Sequence, residues 1–154
     1  MADVFTKAKR SEVMSRIRSR GNRDTELALA RLLRANHITG WRRHIKVRIA
    51  NCGLRKNGAH GVTRPTFRVK PDFVFRQVLL ALFVDGCFWH GCPKHATWPA
   101  HRAAWWRRKI EGNKTRDRLV NRTLRRSGWH VIRIWECDLR NAERTLKRIE
   151  KHLK

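Results

Sequence analysis

The chain is expected to fold as an α/β protein, a central mixed β-sheet flanked by helices. Three observations lead there. Short apolar runs rich in β-branched and aromatic residues, Phe73-Val74-Phe75, Val78 to Val84 and Val131 to Trp135, have strand character. Helical stretches lie before, between and after them, so the order reads α, β, β, β, α, β, α. The length of 154 residues supports one domain with a real core and is short for two.

In order along the chain, residues 1–24 read as a basic N-terminal arm carrying Arg10, Arg16, Arg18, Arg20 and Arg23, with one helix around Val13 to Ile17. Residues 25–154 form the domain. Its first helix spans Glu26 to Asn36, where Leu29, Leu32 and Leu33 fall at helical spacing behind Asp24 and Thr25 as possible caps. A strand follows over Trp41 to Ile49. Residues 50–66 carry Gly53, Gly58, Gly61 and Pro65 without periodicity and read as a long loop or hairpin insertion. The runs at Phe73 and Val78, separated only by Arg76 and Gln77, read as adjacent buried strands. Ala100 to Arg126 is a basic helix stopped at Ser127-Gly128, and a last helix covers Asn141 to Leu153.

Charge selects the partner. Lys and Arg number 37 against 12 Asp and Glu, a formal +25 spread from end to end, which points to a folded binder of nucleic acid. No apolar run reaches the roughly 18 residues that span a bilayer, so no membrane partner is expected. Met1 to Phe5 lacks a basic region followed by an apolar one, and the expectation is a cytosolic protein. There, Cys52, Cys87, Cys92 and Cys137 suit metal ligation or burial better than disulfides.

Two constellations carry chemistry. Cys87, Cys92 and His95 place three soft donors within nine positions, and Cys137 follows a strand that can lie beside them. Three cysteines and a histidine suit a closed structural Zn²⁺ site; Cys52 and His90 compete with Cys137 for the fourth place. Such a site would substitute for core that a small domain lacks. Phe88 and Trp89, on the same loop, would then be pushed outward. Separately, Asp72 precedes one strand and Asp85 ends the next. Carboxylates at adjacent strand ends suit Mg²⁺, which keeps waters and bridges to phosphate, and Glu26 and His90 could complete that centre. Each Asp could instead merely cap a turn.

Lys70-Pro71-Asp72-Phe73-Val74, then Val84-Asp85-Gly86-Cys87-Phe88-Trp89-His90, then Asn113 with Asp117, and finally Gly128-Trp129 through Ile134-Trp135-Glu136-Cys137, resemble the very-short-patch repair (Vsr) mismatch endonucleases over about residues 9 to 140. The resemblance implies a restriction-endonuclease-like fold in a bacterial, nucleoid-associated enzyme acting as a monomer. It implies nicking of duplex DNA 5′ to the thymine of a T·G mismatch left by 5-methylcytosine deamination, with mismatch-repair proteins as further partners.

Position by position, it implies Asp72 as metal-binding aspartate and Val84 as backbone-carbonyl ligand of the same Mg²⁺. His90 matches the proton-transfer histidine and Glu26 the glutamate that orders metal-bound water. Cys87, Cys92, His95 and Cys137 match the zinc set. Phe88, Trp89 and Trp106 match the aromatics that wedge into the base stack, which costs less at a poorly stacked wobble pair. The chain departs from the pattern at Asp85, where some members have His, leaving its role open between ligand and helper. It departs again in its long stretch from Ala50 to Val69, where, with Arg48 just before it, Arg55, Lys56, Arg64 and Arg68 could add DNA contacts, or Cys52 and His60 could carry a second metal. Trp98, Trp129 and Trp135 are expected to be packing residues. Two other activities compete: a restriction-like nuclease cutting both strands, and a non-catalytic zinc-stabilised DNA-binding module.

Overall fold

A computed structural model describes residues 25–49 and 67–153, together with Glu12. The arm at 1–24 with its Val13 to Ile17 helix, and the 50–66 insertion with Cys52 and His60, lie outside the described residues. Helix α1 spans Glu26–Ala35, followed by β1 (Trp41–Arg43), β2 (Val47–Ile49), β3 (Phe67–Val69), β4 (Phe73–Phe75) and β5 (Leu80–Asp85). Helix α2 (Ala103–Arg126), β6 (His130–Trp135), a 3₁₀ turn at Glu136–Arg140 and α3 (Ala142–Glu150) complete the order.

The main sheet runs β1-β4-β5-β6. Its first two pairings are antiparallel and β5 with β6 is parallel, so the sheet is mixed as expected. Side chains alternate along each strand and feed two cores. Phe73, Phe75, Leu80, Leu82, Ile132 and Ile134 face Leu29, Ala30 and Leu33 of α1 and Ile149 of α3. Val74 and Ala81 point the opposite way, towards Leu124 of α2 and Val47, Ile49 and Val69 of the β2–β3 pair. Strand β5 is enclosed on both sides, which is why its sequence reads as an unbroken apolar run.

Several boundaries differ from expectation. The single strand foreseen over Trp41 to Ile49 is two strands in two sheets, because the backbone turns at His44, whose φ is +55°. Strand β2 leaves the main sheet and pairs with β3, a strand the sequence did not announce. The strand foreseen from Val78 begins at Leu80, after a tight turn in which Leu79 takes φ +47°. Gly128, at φ +82°, stops α2 where the sequence suggests, and its N–H donates to the Arg125 carbonyl. Trp129 packs against the second core, as expected. Trp98 does not pack: half of it is exposed, with the Lys114 ammonium 6.0 Å from its ring centre.

Candidate active site

The antiparallel pairing of β4 with β5 brings the start of one strand to the end of the other. Asp72 donates its backbone N–H to the Leu82 carbonyl at 3.1 Å, and its carboxylate Oδ2 accepts the Val84 N–H at 2.8 Å. Asp72, Val84 and Asp85 therefore line one cleft of about 410 Å³, together with Glu26, His90, Asp117 and Arg133. Burial pushes the Asp72 carboxyl up to about 6; Glu26 and Asp85 add to the rise, while the Val84 N–H and Arg133 oppose it. A carboxyl held this way binds a cation in preference to standing ionised and alone.

Glu26 comes from the first turn of α1, buried at the mouth of the helix. Its Oε2 lies 2.6 Å from Arg43 Nη2 and 3.0 Å from His44 Nε2. Ligand atoms of Glu26, His44 and Asp72 all sit within 4.8 Å of one another. Two carboxylates and an imidazole are a donor set that fits a hard or borderline divalent cation. His44 was not foreseen from the sequence. Its left-handed backbone, costly outside glycine, and its N–H bond to the Asp72 carbonyl at 3.2 Å place the ring beside Glu26.

Across the cleft, His90 Nδ1 approaches Asp117 Oδ2 at 2.6 Å and Asp85 Oδ1 at 3.6 Å. Burial alone would raise the Asp117 carboxyl. The hydrogen bond from His90 and the charges of Arg133, His90 and Arg116 outweigh it and hold Asp117 below the usual aspartate range. An ionised carboxylate only accepts, so Nδ1 carries the proton and Nε2 is left for chemistry. Asp85, 4% exposed, is bound at 2.6 Å by Arg133, so the structure places it with His90 and Asp117 rather than with Glu26 and Asp72. Asp117 and Arg133 also escaped the sequence reading as site residues. Arg68, Lys70 and Arg116 give the cleft a basic rim that matches a phosphate backbone.

Cys87, Cys92, His95 and Cys137 converge as the spacing suggests, with ligand atoms within 4.8 Å of one another. The Cys92 and Cys137 sulfurs are 3.8 Å apart, the edge of a tetrahedron built on metal–sulfur bonds of about 2.3 Å. Burial pushes the Cys87 thiol up to about 12, whereas the Lys94 and His95 backbone N–H groups and the His95 ring overcome burial and draw Cys92 down to about 7. Crowded thiols that cannot all ionise unaided fit a soft cation. Glu136 Oε2 accepts the Cys87 N–H at 3.2 Å and ties the loop to the 3₁₀ turn that bears Cys137. A larger hollow of about 820 Å³ borders these cysteines, and among the described residues Glu136 is the one acid lining it, whereas the smaller cleft gathers four carboxylates.

The aromatics form a cluster of their own beside the cleft, which Trp89 lines. Phe88, Trp89 and Trp106 contact one another with ring centres 5.1 to 5.8 Å apart, and Trp105 adds a fourth ring at 4.7 Å from Trp106. Three are half-buried and Trp105 is 45% exposed. Buried Asn113 of α2 donates to the Trp89 carbonyl at 2.8 Å, fixing the loop against the helix.

The chain is similar to known proteins. The family model described as DNA mismatch endonuclease Vsr matches residues 44–96. The chain is 33% identical to the DNA mismatch endonuclease Vsr of Escherichia coli (strain K12) over 148 residues, covering 94% of this chain and 80% of that one. It is 33% identical over 141 residues to the type II nicking enzyme V.XorIIP of Xanthomonas oryzae pv. oryzae, covering 90% and 88%. A shorter match to the type II nicking enzyme V.NaeI of Lentzea aerocolonigenes is 48% identical over 69 residues, 45% of this chain and 42% of that relative. The two relatives at 33% identity along most of both chains, on a fold that gathers the carboxylates and the histidine into one cleft, show that the chain belongs to the Vsr family of DNA mismatch endonucleases.

Proposed function

We propose that the protein nicks one strand of duplex DNA on the 5′ side of the thymine in a T·G mismatch, with Mg²⁺ in the cleft and Zn²⁺ on the cysteines. The observation that carries this reading is the convergence of Asp72, Glu26 and His90 beside an aromatic cluster and a basic rim. Asp72 and the Val84 carbonyl are the proposed Mg²⁺ ligands. Glu26, aligned by His44 and Arg43, orders the attacking water. When bound, Mg²⁺ lowers the pKa of its water and offsets charge developing on the phosphate. Asp117 holds His90 so that Nε2 exchanges the proton with the water or the leaving oxygen. Arg68, Lys70 and Arg116 position the backbone.

Cys87, Cys92, His95 and Cys137 are the proposed Zn²⁺ ligands, and Zn²⁺ there fixes the loop that presents Phe88 and Trp89. These rings, with Trp106, are proposed to enter the base stack. Selection follows from cost: a wobble pair unstacks more readily than a matched one, and stacking on aromatic faces returns about 1–3 kcal/mol per base. The DNA is taken up by a single copy of the chain.

The test is cleavage of matched and T·G duplexes differing in flanking bases, with strand-resolved products, with and without Mg²⁺. One nick in the thymine strand, only with Mg²⁺, is expected. Double-strand cutting of matched DNA, or binding without cleavage under any divalent cation, overturns the reading. Asp72→Ala should bind the duplex and not nick it.

A further inference from the structure

We propose that Arg133 is a positioning residue, a built-in counter-ion that locks Asp85 and Asp117 so that Asp117 holds His90 in its working orientation. The inference rests on the role of His90 proposed above. It adds the group that sets that role.

Arg133 lies in the middle of β6, in a run otherwise apolar. Its three nitrogens are all engaged. Nη1 meets Asp85 Oδ1 at 2.6 Å, Nη2 meets Asp117 Oδ1 at 3.0 Å, and Nε donates to Asn121 Oδ1 at 3.0 Å. The Phe83 ring covers the guanidinium at 4.6 Å from its centre. A guanidinium so enclosed acts through the carboxylates it holds. Its planar fork reaches two acids at once, which a lysine ammonium does not do.

The geometry gives each partner a reason. Asp117 and Asn121 are one turn apart on α2, Asp85 ends β5, and Arg133 is on β6, so one side chain joins three elements behind the His90 ring. Asp117 spends Oδ1 on Arg133 and Oδ2 on His90, and cannot rotate without losing both. Asp85, His90 and Asp117 have ligand atoms within 4.8 Å and resemble a second cation site. Arg133 already supplies that positive charge from within the chain. The departure at Asp85 therefore has a physical account: a carboxylate there is kept by the arginine opposite.

The test compares full-length wild type, Arg133→Lys, and the paired variant Asp85→Asn with Arg133→Gln, which leaves no buried carboxylate stripped of its cation at position 85. Single-turnover nicking and duplex affinity are measured, with the His90 tautomer read by nitrogen-15 NMR of the imidazole at about pH 8. Outer partners that orient an imidazole are worth roughly 10–100-fold. The paired variant should lose a factor of that order in single-turnover rate with duplex affinity within about twofold, and its Nδ1–H tautomer should give way to a mixture. Arg133→Lys, which keeps the charge and loses the fork, should fall between. A wild-type single-turnover rate with an unchanged tautomer in Arg133→Lys and in the paired variant overturns the inference, and Arg133→Lys decides alone should the pair fail to fold. His90→Ala is the separate control: wild-type nicking there would overturn the role of His90 itself, whatever Arg133 does.

Discussion

Replacing Asp72 by asparagine should abolish nicking and at the same time stabilise the Mg²⁺-free protein. Burial first, then Glu26 and Asp85, push the Asp72 carboxyl from 3.8 to about 6. A group whose folded-state pKa is raised contributes fully below its unfolded value. That contribution is lost as pH rises through about 6. At about 1.36 kcal/mol per unit, the ionised group costs the fold up to about 3 kcal/mol at pH 8, and about 1–3 kcal/mol once the solvent reaching a half-buried side chain is allowed for. At pH 4.5 the same cost is about 1 kcal/mol or less. Asparagine keeps an acceptor for the Val84 N–H and carries no charge. In a domain of this size the gain at pH 8 is roughly 2–12 °C in Tm. The assay is thermal unfolding of both proteins at the two pH values, in resin-treated buffer with no chelator, because a chelator would also attack the cysteine set. Added Mg²⁺ should stabilise wild type and leave Asp72→Asn unmoved. A variant less stable than wild type at pH 8, or one whose advantage is the same at both pH values, refutes the reasoning.

Two further outcomes follow from other parts of the molecule. Cys92→Ser removes a buried member of the cysteine set and should reduce bound zinc, read by elemental analysis, to less than a tenth of the wild-type stoichiometry; the far-UV spectrum should melt earlier, and retention of one zinc per chain would contradict the assignment. Trp106→Ala removes the ring that touches Phe88, Trp89 and Trp105 and should weaken binding to a T·G duplex by about 1–3 kcal/mol, with less effect on a matched duplex; equal losses on both would show that the ring only packs.

The sequence was most legible where one residue type forces one environment. Short apolar runs located β4, β5 and β6, and helical leucines located α1. The spacing of Cys87, Cys92 and His95 announced a cluster that the fold does bring together with Cys137. The carboxylates at 72 and 85 do share one cleft, because an antiparallel hairpin brings those strand ends together, but Asp85 turns to Arg133 and His90 instead of joining Asp72 and Glu26. What stayed hidden depends on partners distant in sequence. His44 has no motif around it, and its left-handed backbone is unmarked by glycine, so neither the ring nor the break between β1 and β2 could be foreseen. Arg133 was visible as a charge inside an apolar strand, a signal passed over. Its meaning required Asp85, Asp117 and Asn121, which three different stretches supply. Trp98 failed as a packing residue because it sits in irregular chain, where no periodicity says which way a side chain faces.

The β2–β3 pairing bears on how such a protein can vary. Ile49 and Phe67 are register partners, so the ends of the 50–66 segment meet at a fixed gate whatever lies between them. For a chain closed between two fixed ends, doubling its length costs only about 0.6 kcal/mol in closure entropy. The β4–β5 hairpin, which Asp72 leads into, is pinned by its own tight turn and belongs to the other sheet. Insertions and deletions in the segment thus leave the register of Asp72 against Leu82 and Val84 untouched. The segment between Ile49 and Phe67 can therefore change in length without shifting the strands that position Asp72.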